Sequence, residues 1–332
     1  MKSTKFILLI SAFAVGALLC VFASLALGSR NVGLGEIIRA LFHADSGGFD
    51  TLVVHERIPR TVFSIIAGAS LGVSGALMQA VTRNPIADPS ILGVNTGASL
   101  FVVSGIAFLH IDTAGEYIWL ALAGAAVTAV FVYRIGSMGY GGATPIKLAL
   151  AGAATSAALS SLVGAVLLPR TDVMNAFRFW QVGSVSGATW GGILTVSPFL
   201  AAGLLIGLLS APALNALALG DDMATGLGVR TRMVRIMGAA SGVLLCGATT
   251  ALAGPIGFVG LMIPHAVRLI CGTNMLYILP LSALGGAILL TASDIIGRLI
   301  GSPGELEAGI VTAFFGAPIL ILIARRAKVR SL

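Results

Sequence analysis

The sequence predicts an all-α integral membrane protein of about ten transmembrane helices with an internal inverted repeat, and three observations carry that prediction. Of 332 residues, 57% are apolar and only 10% are charged, where a soluble globular chain carries about 25% charged residues to wet its surface. The few charges are grouped, leaving uncharged runs as long as a bilayer is thick. The chain also holds 43 glycines, a residue type enriched where helix backbones approach closely in lipid. A soluble enzyme, a disordered chain and an extramembrane scaffold are excluded.

Each span follows from a run free of Asp, Glu, Lys, Arg and His, because a membrane helix needs roughly 17–25 predominantly apolar residues. Nine runs qualify: 6–28, 61–82, 89–109, 117–133, 148–169, 179–220, 236–264, 269–293 and 308–324. The first has Lys2 and Lys5 ahead of it, but its apolar stretch exceeds the roughly 7–15 residues of a signal peptide, so it reads as an uncleaved helix. In run 179–220 the early residues are polar and Gly-rich, so one span is placed at about 191–210, ended by Pro212. Run 236–264 is broken at Gly254-Pro255-Ile256-Gly257, where proline lacks an N–H and the glycines permit a turn. One span precedes that break and a short one follows it, ending near His265 and Arg268, for a total of ten.

Ten spans place both termini on one side of the membrane, and charge selects the side. With the N-terminus inside, the inner segments hold thirteen basic and three acidic residues, a net +10; the outer segments hold seven basic and ten acidic residues, a net −3. That is the positive-inside pattern with both ends cytoplasmic. The overall +7 therefore needs no nucleic acid to explain it. Cys20, Cys246 and Cys271 are widely spaced in or beside apolar runs, which reads as packing rather than a disulfide or metal framework. His265 reads as an interfacial side chain, since no acidic residue lies in the apolar runs to relay protons with it.

Sliding the chain against itself by 170 residues aligns Arg60-Thr61 with Arg230-Thr231, Gly68-Ala69 with Gly238-Ala239, Gly72-Val73 with Gly242-Val243, and Pro85-Ile86 with Pro255-Ile256. With Ile66 on Ile236, that is 9 identities in 27 positions. Five spans separate the copies, so they run in opposite directions, as transporter halves do when a pathway opens alternately to either side. Gly68-x-x-x-Gly72 and Gly238-x-x-x-Gly242 set small faces one turn apart, where backbones can touch.

Two stretches are more specific still. The first joins Arg57-Ile-Pro-Arg60, Gly68-Ala-Ser-Leu-Gly-Val-Ser-Gly-Ala-Leu-Met-Gln79, Arg83-Asn-Pro-Ile-Ala-Asp-Pro89 and Leu92-Gly-Val-Asn95. The second is Ala251-Leu-Ala-Gly-Pro-Ile-Gly-Phe-Val-Gly-Leu-Met-Ile-Pro-His265, followed by Arg268. Together they resemble the FecCD-type permease subunits of bacterial ABC importers for iron–siderophores, haem and vitamin B12, with the Arg83–Pro89 wording closest to the ferric-siderophore branch. The resemblance spans the whole chain and implies the type II importer permease fold in a single domain, 1–332.

It also implies roles. Arg57 and Arg60, three apart on one helix face, and Arg298 would receive carboxylates from a periplasmic or lipid-anchored substrate-binding protein. Arginine's donor fork suits carboxylates; the alternative is pairing with headgroups or within the chain, Asp294 standing four residues before Arg298. Asn84, Ile86 and Thr144 would narrow the inner mouth of the pathway, although Asn84-Pro85 also reads as an ordinary turn. The polar segment 214–235 would couple to an ATP-binding cassette subunit through Leu219, Gly220, Asp221, Asp222, Ala224, Thr225, Gly226 and Gly228. Its glycines read as dividing two short helices, with Asp221 and Asp222 favouring a helix N-terminus; adjacent carboxylates diverge and make a poor metal cage.

No phosphate-cradling Gly-rich Lys-Ser/Thr loop, zinc-protease motif or serine-hydrolase elbow is present in the sequence. The chain reads as a non-enzymatic, cofactor-free permease in the bacterial inner membrane, moving a ferric-siderophore-type chelate with ATP hydrolysed on a partner and working beside a second permease subunit. The runner-up is an ion-coupled secondary transporter of a small organic solute; an intramembrane enzyme is remote. Ion coupling needs ionisable groups at membrane depth, and the charge-free runs supply none.

Overall fold

A computed structural model describes residues 3–42, 48–111, 113–139 and 144–326. Thirteen α-helices appear among them: α1 Ser3–Ala26, α2 Leu34–Phe42, α3 Phe49–Thr82, α4 Val94–Ser104, α5 Ala114–Gly136, α6 Pro145–Leu167, α7 Thr171–Gln181, α8 Trp190–Leu217, α9 Asp221–Gly226, α10 Thr231–Ala253, α11 Val259–Cys271, α12 Met275–Ile300 and α13 Ala308–Arg326. Seven of these (α1, α3, α5, α6, α8, α10 and α12) are long and apolar enough to cross a membrane. Three shorter apolar helices complete the expected ten: α4, whose last turn widens into a π-helical segment at Gly105–Leu109, α11 and α13. The remaining three, α2, α7 and α9, are short and lie between spans.

Local chemistry sets the helix starts. Thr144 caps α6, its hydroxyl accepting from the Lys147 N–H, with Pro145 in the first turn; Thr189 caps α8 and Asn274 caps α12 in the same way. The break expected at 254–257 separates α10 from α11, with Gly254 at φ +71° ending one helix.

Three boundaries differ from the sequence reading. Helix α3 does not begin at Thr61: it starts at Phe49 and runs 34 residues through Pro59. That is about 51 Å at 1.5 Å per residue, well beyond a hydrocarbon core of ~30 Å, so Arg57 and Arg60 sit inside a continuous helix. Pro212 does not end α8, which continues to Leu217 and also passes Pro198. Proline is tolerated in membrane helices because neighbouring groups and local adjustments re-satisfy the freed backbone groups. Finally, segment 214–235 holds one short helix rather than two, because its ends belong to α8 and α10.

The core is built on α3. Its Ser74 Oγ donates to the Gly242 carbonyl of α10 at 2.5 Å, while Val81 packs at Gly238, so residue numbers rise along α3 as they fall along α10. The two copies of the repeat therefore lie against each other and run in opposite directions. Gly68 and Gly72 meet Gly286 and Ser282 of α12, where added Cβ atoms would fall on backbone carbonyls. Gly75 meets the Gly260 backbone of α11 in the same manner. Small residues let α11 and α12 meet α3 backbone to backbone, while the glycines of α10 receive the Met78 and Val81 side chains of α3.

Candidate functional site

Polar chemistry collects at the two ends of the bundle. At the end that the charge bias assigns to the outside, all three expected docking arginines fall into one cluster. Each is nearly buried: Arg57 is 8% exposed, Arg60 9% and Arg298 2%. Arg60 grips Asp294, Nη2 to Oδ1 at 2.7 Å and Nε to Oδ1 at 3.0 Å, and its Nη1 donates to Glu305 at 2.7 Å. Arg298 pairs with the other oxygen of Asp294 at 3.1 Å and donates to the Ser24 and Leu27 carbonyls and the Ser24 hydroxyl of α1. Arg57 donates to the Leu25 and Arg30 carbonyls. Gly28 leaves the room these guanidiniums fill, since a Cβ there would meet Arg57.

The pairing within the chain that was an alternative use of these arginines is thus what their side chains do in this conformation. The cluster fastens the end of α1 to α3 and α12. Of its five charged groups three are positive and two negative, which leaves one positive charge in excess. Glu305, not singled out from the sequence, is the exposed member, with 35% of its side chain accessible.

At the opposite end, Arg83 closes α3 in the left-handed region, at φ +49°, and opens the turn that carries the expected gate residues. Asn84 Oδ1 accepts the Ile86 N–H at 3.1 Å, which bends the chain there, and leaves Ile86 45% exposed. Asp88 then caps the turn Pro89–Leu92 through the Ser90 N–H. Thr144, at the start of α6, belongs to a neighbouring element: Gly152 of the same helix lies on the Ile91 carbonyl.

The expected coupling residues lie beside this turn. Gly220, at φ +117°, begins the short helix α9 in a conformation that side chains disfavour. Asp221, Asp222, Thr225, Gly226 and Gly228 are all exposed, while Ala224 is fully buried and anchors the helix to the bundle. Asp221 accepts from Arg83 at 2.5 Å and from Arg235 of α10 at 2.9 Å. Arg83 also donates to the Leu217 carbonyl at the end of α8. One carboxylate thereby joins the expected coupling helix to the expected gate turn and to both repeat copies, a connection that residue spacing did not reveal.

Leu219, Met223 and Leu227 are 55%, 59% and 65% exposed. Met223 and Leu227 stand one helical turn apart, and Leu219 adds a third exposed apolar side chain just ahead of Gly220. Met223 and Leu227 were missed from the sequence, though the spacing was there to read. Exposed apolar side chains outside the spans and beside charges have the anatomy of a protein interface.

The FecCD transport family model matches residues 16–326. The ferric enterobactin transport system permease protein FepD of Escherichia coli (strain K12) is 42% identical over 304 residues, covering 91% of this chain and 90% of the relative. The Fe(3+)-citrate import system permease protein YfmD of Bacillus subtilis (strain 168) is 40% identical over 319 residues, covering 95% of each. Among solved structures, an ABC transporter assigned to the metal-chelate type, in an inward-facing conformation, superposes with a TM-score of 0.83 at 24% identity, covering 97% of this chain and 99% of the other. That likeness is one of fold.

Proposed function

The chain belongs to the FecCD transport family, and on that premise we propose that it is the permease subunit of a binding-protein-dependent ABC importer that carries a ferric-siderophore-type chelate across the bacterial inner membrane. The observation that carries this reading is the match along nearly the whole chain to permeases of iron-chelate import systems. The chain itself acts as one permease domain with both termini cytoplasmic, and ATP is hydrolysed on a separate cassette subunit.

Three parts of the structure support this division of labour. The exposed helix α9, with Leu219, Met223 and Leu227 exposed on and beside it, is the proposed seat of the cassette subunit, and Asp221 passes its movement to the gate turn through Arg83. Asn84 and Ile86 in that turn, with Thr144 at the start of α6, form the proposed inner gate. At the outer end, docking of a substrate-binding protein reaches the arginine cluster through Arg60. Arg57 and Arg298 are spent on carbonyls and on Asp294, whereas Glu305 at the rim can be exchanged for an incoming carboxylate, drawn by the excess positive charge.

The faces of two spans support a place for the pathway. Helix α1 exposes Ile7, Leu8, Val15, Leu18, Leu19 and Phe22, the surface expected against lipid tails. Helix α6 exposes Ala153, Ala154, Ala157, Ala158, Ser160 and Ser161, interleaved with Ile146, Leu150 and Leu162. A face that mixes small and hydroxylated residues with large apolar ones suits contact with other helices, which supports α6 as the proposed pathway wall and contact to a second permease subunit.

The test is uptake of ferric enterobactin or ferric citrate into vesicles holding the chain with its cassette subunit and binding protein. Uptake that needs internal ATP and survives an uncoupler supports the importer. Uptake that ignores ATP and collapses with the uncoupler establishes the ion-coupled alternative.

A further inference from the structure

We propose that the groove between α5 and α10 holds one acyl chain of a membrane phospholipid, whose phosphate rests on Arg134. The groove encloses about 360 Å³ and is walled by Leu122, Ala126 and Ala129 of α5 and by Ala240, Val243 and Gly247 of α10. Its polar members, Tyr133 and Arg134, stand together at one end, level with Ile236 near the start of α10.

Length argues for a lipid tail. From Ile236 to Gly247 the groove follows α10 for eleven residues, about 16 Å. That is roughly half of the ~30 Å hydrocarbon core, the depth of a single leaflet. The cation stands where the headgroup of that leaflet would lie. The Arg134 side chain is exposed, and no described side chain or backbone group is bonded to its guanidinium. An apolar slot one leaflet deep with an unpaired arginine at its membrane edge matches a phospholipid at both ends.

The repeat explains why the slot is open. It pairs α10 with α3 and, by span order, α5 with α12 and α8 with α1. In the first pairing, α1 covers the α3–α12 seam, Gly16 packing on Ile288 and Ser24 bonding to both Thr61 and Arg298. Its counterpart α8 stays on α10, with Ser241 bonding to the Gly203 carbonyl, and reaches α5 through the Trp119–Phe199 ring contact. No residue of α8 lines the groove. The lipid tail occupies the place that α1 fills in the other half.

This inference rests on the spans crossing a bilayer and not on what the permease carries. It is tested by native mass spectrometry of the full-length chain in detergent, titrated with 1-palmitoyl-2-oleoyl-phosphatidylglycerol. The wild type is expected to retain one lipid per chain after delipidation. Ala129→Phe with Ala240→Phe fills the groove and should abolish that retention. Arg134→Gln, at an exposed site that leaves packing alone, should weaken binding roughly fivefold. Equal retention in the filled variant, or unchanged binding in Arg134→Gln, overturns the proposal. So does a filled variant that keeps its lipid but no longer pairs with a second copy, or keeps it and stops transporting; the groove would then belong to an interface or to the pathway.

Discussion

The two ends of the bundle hold charge clusters of similar composition in opposite settings. At one end Asp294 is 1% exposed between Arg60 and Arg298, each guanidinium also bonded to a second group. At the other, Asp221 has half its side chain in solvent between Arg83 and Arg235. Taking one partner from a buried set leaves uncompensated charge at low dielectric, which is strongly destabilising. An exposed pair is worth little, because water replaces what is lost. The first cluster is therefore a clasp and the second a linkage that can be broken and remade at small cost. Movement during a transport cycle belongs at the second.

The sharpest way to break this contrast is at Asp294. Replacing it with Ala leaves Arg60 and Arg298 facing each other, and the loss expected is about 3–5 kcal/mol, read as a large drop in thermal unfolding temperature in detergent or failure to accumulate in the membrane. Adding Arg60→Met and Arg298→Met removes the stranded charges and should restore much of the loss. If Asp294→Ala melts like the wild type, the cluster is not a clasp.

Between the ends, packing alone must carry rigidity, and Gly75 is where it can be tested. A side chain there meets the Gly260 backbone, which cannot yield as a flexible side chain would. Gly75→Val should push α11 from α3 at a cost of about 1–3 kcal/mol, a smaller drop in the same melting experiment. It should also disturb the bond from Arg268 of α11 to Gln79, one turn further along α3. A neutral Gly75→Val would place the rigid seam elsewhere.

The same contrast marks what the sequence could reveal. Spans were legible because a bilayer excludes charge, so nine uncharged runs, one of them split at Gly254–Gly257, report the ten apolar helices. Helices α2 and α7 were not, because each carries charges within a short amphipathic stretch: Glu36 and Arg39 in one, Asp172 and Arg178 in the other. The early start of α3 was hidden for the same reason, its first turns holding Asp50, Arg57 and Arg60. At the arginine cluster the residue types were evident but not the partners, since Arg60 and Asp294 lie 234 residues apart. At the opposite end the glycines and carboxylates marked a polar segment between spans, while the Asp221–Arg83 link depended on how α3 and α9 meet.

The smallest expected change in stability is also the most informative about mechanism. Asp221→Asn keeps the size of the side chain and removes the charge shared by Arg83 and Arg235, and because the site is exposed the melting temperature should move by less than about 1 kcal/mol equivalent. Assembly with the cassette subunit should persist, since the exposed apolar side chains of Leu219, Met223 and Leu227 are untouched. What should fail is transmission: with α9 released from the turn that begins at Arg83, ATP turnover should continue while chelate uptake per ATP falls severalfold. Asp221→Glu, which keeps the carboxylate, should recover most of that ratio, whereas a purely structural role would leave the ratio of uptake to hydrolysis alone in every variant. Normal uptake per ATP in Asp221→Asn would cut the proposed connection between coupling helix and gate, and leave Arg83 as no more than the cap of α3.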